Sequence, residues 1–258
     1  MLELMFDSAV SDRQRILADL RHKISPSAVL SDAGTKPGHQ VLAVPAPLAE
    51  ILPRGGLPRG GVVSLGGSSG SISLLLTLLA TPVNAWSALV GMPDVGLLAA
   101  AELGVDLDRI VLIPDPGPDV LQVLSVLADG VDLIAVGPPP GSAFGAAPAR
   151  LRVLTARLRQ SGSVLLVHGQ WPGAELVLES RVQGWSGLDR GHGRLRDREL
   201  IVEVKGRGAA GRRRSAVMLL KSSRSRVEVG AAPVLLGPRQ LGQVQLGQVQ
   251  EPLVAHVG

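Results

Sequence analysis

The chain has 258 residues, 45% of them apolar and 19% charged, with no cysteine and no tyrosine. That length suits one α/β domain with appendages, and the lack of cysteine excludes a disulfide scaffold, thiolate metal sites and cysteine catalysis. Three Trp and two Phe leave little for a platform that stacks bases on rings, and His22, His39, His168, His192 and His256 show no metal-ligand spacing.

The net charge of +4 conceals two unlike parts: residues 1–150 hold nine basic and 14 acidic residues, residues 151–258 hold 17 and eight. Only four of the basic residues are Lys. The Arg, Ala, Gly, Val and Leu bias is that of a GC-rich genome, so where the charge lies says more than which residue carries it.

Ser11-Asp-Arg-Gln14 has the form of a capping box and opens a predicted amphipathic helix to about Lys23. Residues 25–46 form a connector rich in turn residues. Leu48–Leu52 suits a short helix, and Pro53–Gly60 is turn chemistry. Gly61–Leu65 reads as a strand, Gly66–Ser71 as a Gly/Ser loop and Ile72–Ala80 as an apolar helix. Strands at Trp86–Val90, Arg109–Ile113, Leu133–Val136 and Ser163–His168 then alternate with helices at Asp94–Leu103, Pro118–Ala128 and Ala149–Gln160. Gly104 is placed to cap the first of these helices. Such alternation predicts a mostly parallel sheet. Beyond Gly173 the pattern changes to alternating segments at Leu200–Lys205 and Ala216–Lys221, an antiparallel hairpin with the basic tip Gly206–Ser215. The tail repeats Gln240-Leu-Gly-Gln-Val as Gln245-Leu-Gly-Gln-Val249, too short for a solenoid, and reads as flexible. The expected organisation is an N-terminal helix and connector at 1–44, an α/β core at 45–236 and a tail at 237–258.

The 34 positions between Arg59 and Asp94 carry no charge. A membrane span is excluded by the glycines and serines at the start of this run, the short apolar core Ile72–Ala80 and the break at Pro82. The plainer reading is the buried centre of a parallel sheet. Glu3 and Asp7 without a basic n-region argue against a secretory signal, and a cytoplasmic protein is expected.

A strand, a Gly/Ser loop and an apolar helix are the context of a phosphate-binding P-loop, G-x-x-x-x-G-K-[ST]. With Gly70 as the second Gly, Leu65 takes the first Gly position, Ser71 the Lys position and Ile72 the hydroxyl position. With Gly66 as the first Gly, Ser71, Ile72 and Ser73 take the second Gly, Lys and hydroxyl positions. Neither register has the cation, and no Lys lies between Lys36 and Lys205. Gly66, Gly67, Ser68, Ser69, Gly70 and Ser71 are therefore a degenerate phosphate loop, and neither a cofactor nor a metal is expected.

Pro47-Leu-Ala-Glu-Ile-Leu-Pro-Arg-Gly-Gly-Leu-Pro-Arg-Gly-Gly-Val-Val-Ser-Leu-Gly-Gly-Ser-Ser-Gly70 resembles the run into the Walker A loop of RecA. Leu103-Gly-Val-Asp-Leu-Asp108 resembles the segment after RecA's next helix, and Arg150–His168 the helix and strand beyond its Walker B. The resemblance covers about residues 45–170 and implies a RecA-like, mostly parallel sheet flanked by helices, with the hairpin as a C-terminal extension. RecA's catalytic glutamate position falls on Met92, and the strand that should end in the Walker B aspartate ends at Gly137. The resemblance thus implies the fold without the ATPase. Within RecA-like proteins the chain is most similar to the ImuA type, above all actinobacterial ImuA-prime. That likeness implies a non-catalytic adaptor in damage-induced mutagenesis, working with an ImuB-type Y-family polymerase homologue and an error-prone C-family polymerase in translesion synthesis.

Residues 181–226 hold 13 basic and four acidic residues. Arg207, Arg212, Arg213 and Arg214 are candidates to grip nucleic-acid phosphate or an acidic partner surface, with a solvated hairpin as the plainer alternative. Gln170 matches the position at which RecA senses the γ-phosphate, and with no nucleotide site to sense, a structural role is expected. His168 reads as a packed strand-end residue, and Asp94 and Asp119 as helix caps beside the third carboxylate, Asp115. Two rivals remain: an atypical ATPase that borrows Arg54 or Arg59 in place of the Lys, and a SulA-like cell-division inhibitor.

Overall fold

A computed structural model describes residues 41–66, 69–138, 148–189, 192–206, 214–223 and 225–231. The predicted helix at Ser11–Lys23 and the tail from 237 lie outside these residues. In chain order the elements are β1 (Val41–Leu42), α1 (Ala46–Ala49), β2 (Leu57–Pro58), β3 (Val62–Gly66), α2 (Ser71–Ala80), β4 (Ser87–Val90), α3 (Leu97–Glu102), β5 (Ile110–Ile113), α4 (Val120–Leu127), β6 (Leu133–Val136), α5 (Pro148–Ser161) and β7 (Val164–His168). They are followed by β8 (Leu176–Asp189), β9 (His192–Gly206), β10 (Arg214–Ser223) and β11 (Arg226–Ala231).

Nine strands form one mixed sheet in the order β11-β10-β9-β8-β3-β7-β6-β4-β5. From β8 to β5 every neighbouring pair is parallel, and from β8 to β11 every pair is antiparallel. The fold is α/β, with helices on both faces of the parallel part and an antiparallel C-terminal region, as the alternation predicts.

The central strands are apolar throughout because both of their faces are covered. Leu133, Ala135, Val164 and Leu166 join the core layer that holds α1, α2 and α3. Ile134, Val136, Leu165 and Val167 join the opposite layer with α4 and α5. The side-chain period of two thus feeds two cores from one strand. Helix α2 goes further, with Leu74, Leu75, Leu76, Leu78 and Leu79 all buried. Thr77 Oγ1 donates to the Ser73 carbonyl at 2.7 Å, and Thr81 Oγ1, at the helix end, to the Thr77 carbonyl at 2.8 Å. Buried Met218 and Leu220 of β10, together with the partly buried Val227 and Val229 of β11, pack in the same layer as α2. β11 also touches α3, although α3 leads into β5 at the far edge of the strand order. The sheet therefore curls around α2. This enclosure explains why the ten residues of α2 carry no charge, since a helix so largely buried has little surface on which a charge is cheap.

Several sequence expectations change. The antiparallel region is a four-strand meander in place of one hairpin: β8 and β11 were not foreseen, and β9 starts at His192, well before Leu200. The helix expected from Asp94 begins at Leu97 with Gly96 as its N-cap, so Asp94 caps nothing. Its end is as expected. The Gly104 N–H donates to the Ala101 carbonyl and the Val105 N–H to the Ala100 carbonyl, both at 2.9 Å, the paired bonds of a Schellman close. Asp119 does cap α4, accepting from the Gln122 N–H at 3.4 Å, and it also pairs with Arg150 of α5. Among the described residues no helix is long and apolar enough to cross a membrane.

The enclosure of α2 makes it the most sensitive helix to truncation. Leu78→Ala, at a fully buried position, is expected to cost about 2–5 kcal/mol in urea unfolding. Ile72→Ala, on the one half-open turn of the helix, is expected to cost about 1 kcal/mol or less.

Candidate functional site

The loop between β3 and α2 lies at the carboxyl ends of the parallel strands, where open α/β sheets place ligands. Of its candidate residues, Gly66, Ser69, Gly70 and Ser71 are described, and Gly67 and Ser68 lie outside the described residues. Leu65, at one of the first-Gly positions, is fully buried and pairs with His168 on one side and Leu178 on the other.

The loop's polar groups are engaged with the protein itself. Ser71 Oγ lies 2.9 Å from Nε2 of His168. The bond holds in either tautomer, because a hydroxyl both donates and accepts. Ser69 Oγ accepts the Val182 N–H of β8 at 3.0 Å. Gly70 is pressed against β8 and β9, so that a Cβ on it would stand 3.0 Å from Cδ2 of Leu200 and 3.3 Å from both the Arg181 nitrogen and the Ser180 hydroxyl. That Ser180 hydroxyl is buried and has no hydrogen-bond partner among the described residues. Burial lowers the pKa of His168 from its ordinary value and keeps the ring neutral at pH 7. His168 is thus a half-buried strap between β7 and the loop. The sequence could not pair it with Ser71, because the two are 97 residues apart and meet only through the adjacency of β3 and β7.

The other positions matched to ATPase residues are also structural. Met92 packs against the core layer of α2. Gly137 follows β6 with its N–H donating to the Val90 carbonyl at 2.8 Å. A Cβ there would lie 2.3 Å from the Gly91 carbonyl oxygen, so no side chain fits at the Walker B position. Gln170 is exposed, while Trp171 beside it is buried with its N–H donating to Ser64 Oγ at 3.1 Å. Asp115 closes a turn by accepting the Gly117 N–H at 2.9 Å. Arg54 lies upstream, between α1 and β2, and Arg59 lies between β2 and β3, at the amino end of the parallel strands and away from the loop. Arg59 pairs there with Asp132 at 3.4 Å, whose second oxygen accepts the Trp86 N–H at 3.1 Å.

Arg207, Arg212 and Arg213 lie outside the described residues, and Arg214 opens β10, exposed. The basic character expected for 181–226 is not spread evenly over the described strands. On the sheet face away from α2, register places Glu179, Glu199, Glu203 and Glu228 among Arg181, Lys205 and Lys221. Lys205 is bound to Glu179 at 2.6 Å. This face is mixed in charge. The positive charge gathers instead where β8 and β9 run on together, at the exposed Arg196 and the half-buried Arg198, which lies over the Trp185 ring at 5.5 Å. Composition counts made Trp185 one of too few aromatics to matter, and only the strand register reveals its partner. Among the described residues no group of His, Asp or Glu is arranged to hold a metal ion.

The family model of the MT3502 N-terminal domain matches residues 50–173. An uncharacterized protein of Mycobacterium tuberculosis, Rv3395c, is 43% identical over 146 residues, which are 55% of this chain and 69% of the relative. The family match begins just after α1 and ends just before β8, so it covers β2 through the parallel strands β3–β7 and leaves out the antiparallel meander.

Two outcomes test this arrangement. Gly137→Asp, which restores a carboxylate at the Walker B position, is expected to destabilise the fold by about 1–3 kcal/mol in urea unfolding, since the carboxylate must displace backbone. His168 has a folded pKa below its unfolded value near 6.5. The unfolded chain therefore binds more protons as pH falls through that value, and the stability supplied by the neutral ring, complete above it, declines toward the folded pKa. The stability gap between wild type and His168→Gln is accordingly expected to shrink between about pH 7.5 and pH 5.

Proposed function

The chain belongs to the MT3502 family, and on that premise we propose that it is a non-catalytic RecA-like adaptor in damage-induced mutagenesis. In this reading it supports translesion synthesis beside an ImuB-type polymerase homologue and, through that partner, an error-prone C-family polymerase. The observation that carries the reading is the state of the phosphate loop. Its Lys is absent, Ser71 is bonded to His168, Ser69 holds β8, and Gly70 is packed down on the meander. A loop that accepts a triphosphate keeps its backbone N–H groups and a cation free for the phosphates. Here the same strand–loop–helix turn serves to join the parallel core to β8. The wall that the Gly91 carbonyl makes against Gly137 supports the same reading, because a carboxylate for Mg²⁺ has no room there.

The rival ATPase reading requires Arg54 or Arg59 to reach the loop. Arg59 stands at the opposite end of β3, engaged with Asp132. The adaptor reading is therefore favoured. An adaptor is expected to work through surfaces, and the antiparallel meander beyond the family match supplies a large one.

Calorimetric titration with ATP and Mg²⁺ is expected to give no saturable binding up to about 1 mM. A tagged full chain recovered from DNA-damaged cells is expected to bring the polymerase homologue with it, and removal of residues 1–24 or 237–258 to reduce that recovery. ATP hydrolysis at RecA-like rates, or recovery of a tubulin-like division protein in place of the polymerase homologue, would overturn the reading.

A further inference from the structure

β9 pairs with β10 only from Arg198 onward, whereas its pairing with β8 begins at His192. Gln183–Asp189 and His192–Asp197 therefore form a two-stranded ribbon that leaves the sheet at the carboxyl end of β8, beyond the Val182–Ser69 bond. Two irregularities shape this ribbon: an extra residue in β8 between Val182 and Gly184, and extra residues in β9 between the Ser186–Asp197 and Leu188–Gly193 pairs. The first has a specific effect. Val182 pairs with Leu200, and a regular ladder would next pair Gln183 with Glu199 and Gly184 with Arg198. The extra residue moves the register on by one, so that Trp185 pairs with Arg198. A bulge that re-aims one side chain is a recurrent device near binding sites.

The side chain so aimed does not serve the core. Trp185 is 51% exposed, against 6% for Trp171. Arg198 covers one face of its ring. Among the described residues Arg198 makes no ion pair, and burial alone depresses its pKa, with no carboxylate holding it up. The neighbouring acid does not oppose it. Asp197 points from the other face of the ribbon, where it accepts the Ser222 N–H at 3.1 Å and lies 3.4 Å from the Ser186 hydroxyl. The exposed Arg196 lies two residues from Arg198, about 7 Å along β9, at the second irregularity.

We propose that the Trp185–Arg198 stack on this ribbon binds single-stranded nucleic acid. A base stacks on the open part of the indole, while Arg198 and Arg196 meet consecutive phosphates. The chemistry fits that ligand better than an acidic peptide. A half-exposed indole offers a π-face that every base can use, and a guanidinium already held over the ring can meet a phosphate at little further cost in ordering. A carboxylate-rich peptide would use the arginines and leave the indole idle. The site goes beyond the adaptor reading and does not depend on which polymerase is the partner.

The test uses the full chain alone, so its outcome is separate from recovery of any partner. A fluorescein-labelled oligothymidylate of about 20 nucleotides is expected to bind with an affinity that falls steeply between about 50 and 200 mM salt, and to quench the protein's Trp emission. Trp185→Ala and Arg198→Ala are each expected to weaken binding about tenfold, the loss of roughly one stacked base or one charged contact. Trp185→Phe is expected to bind within about threefold of wild type but without the quench, which keeps the test valid should the alanine variant misfold. The proposal is overturned if the oligonucleotide does not bind at about 100 μM protein in low salt. It is equally overturned if both alanine variants bind as wild type does, if Trp185→Phe keeps the quench, or if polyglutamate displaces the label as well as unlabelled oligothymidylate does.

Discussion

Enclosure of α2 is the constraint on which the other features depend. The helix lies against β3, β7 and β8 of the sheet and against α3, in a core layer that continues through α1 to β10 and β11. A helix in that position cannot carry a charge without burying it, and an unpaired buried charge costs several kcal/mol. The first turn is part of the same enclosure. Ser71 and Ser73 are buried, and Gly70 meets Leu200 of β9. The position at which an ATPase of this shape would carry its Lys is thus held inside a packed layer, and a hydroxyl bonded to His168 is what the space accepts.

The same enclosure links the two parts of the chain. The parallel strands β3–β7 coincide with the region shared with the MT3502 family, and the meander β8–β11 lies beyond it. They form one sheet because β8 runs parallel to β3 and antiparallel to β9. The loop after β3 is clamped at this junction, by Ser69 to Val182 and by Gly70 against Ser180 and Arg181. A turn that in a nucleotide enzyme faces its ligand here faces the chain's own next strands. The meander then carries a ribbon on which the exposed Trp185 and Arg196 lie beside the half-buried Arg198.

Much of the parallel core was legible in the sequence because its signals are local. Strands β3, β4, β5, β6 and β7 are short apolar runs bounded by Gly, Pro or Asp, and Asp119 and Gly104 mark helix ends by mechanisms that act within one turn. The meander was legible only in part. β8 begins with Leu176-Val-Leu178, apolar on both faces where it lies beside β3, and then loses its alternation at the extra residue between Val182 and Gly184, while β9 is interrupted between Gly193 and Asp197. A pattern of period two cannot be followed through a residue that opposes nothing. The start of β9 was hidden for a related reason: its first residues belong to an open ribbon, so no apolar face announces them.

From the sequence alone came the missing cation of the loop, the glycine where a carboxylate would stand, the charge asymmetry and the α/β class. These are statements about which side chains exist and how they recur along a few residues, and no packing can change them. Only the tertiary structure decided that Ser71 meets His168, that Arg59 lies at the wrong end of β3 to serve the loop, and that Trp185 and Arg198 share a face. Each of these depends on which strands are neighbours and in what register. That is settled by burying two apolar layers and one fully enclosed helix together, a balance over the whole chain that no single stretch of it records.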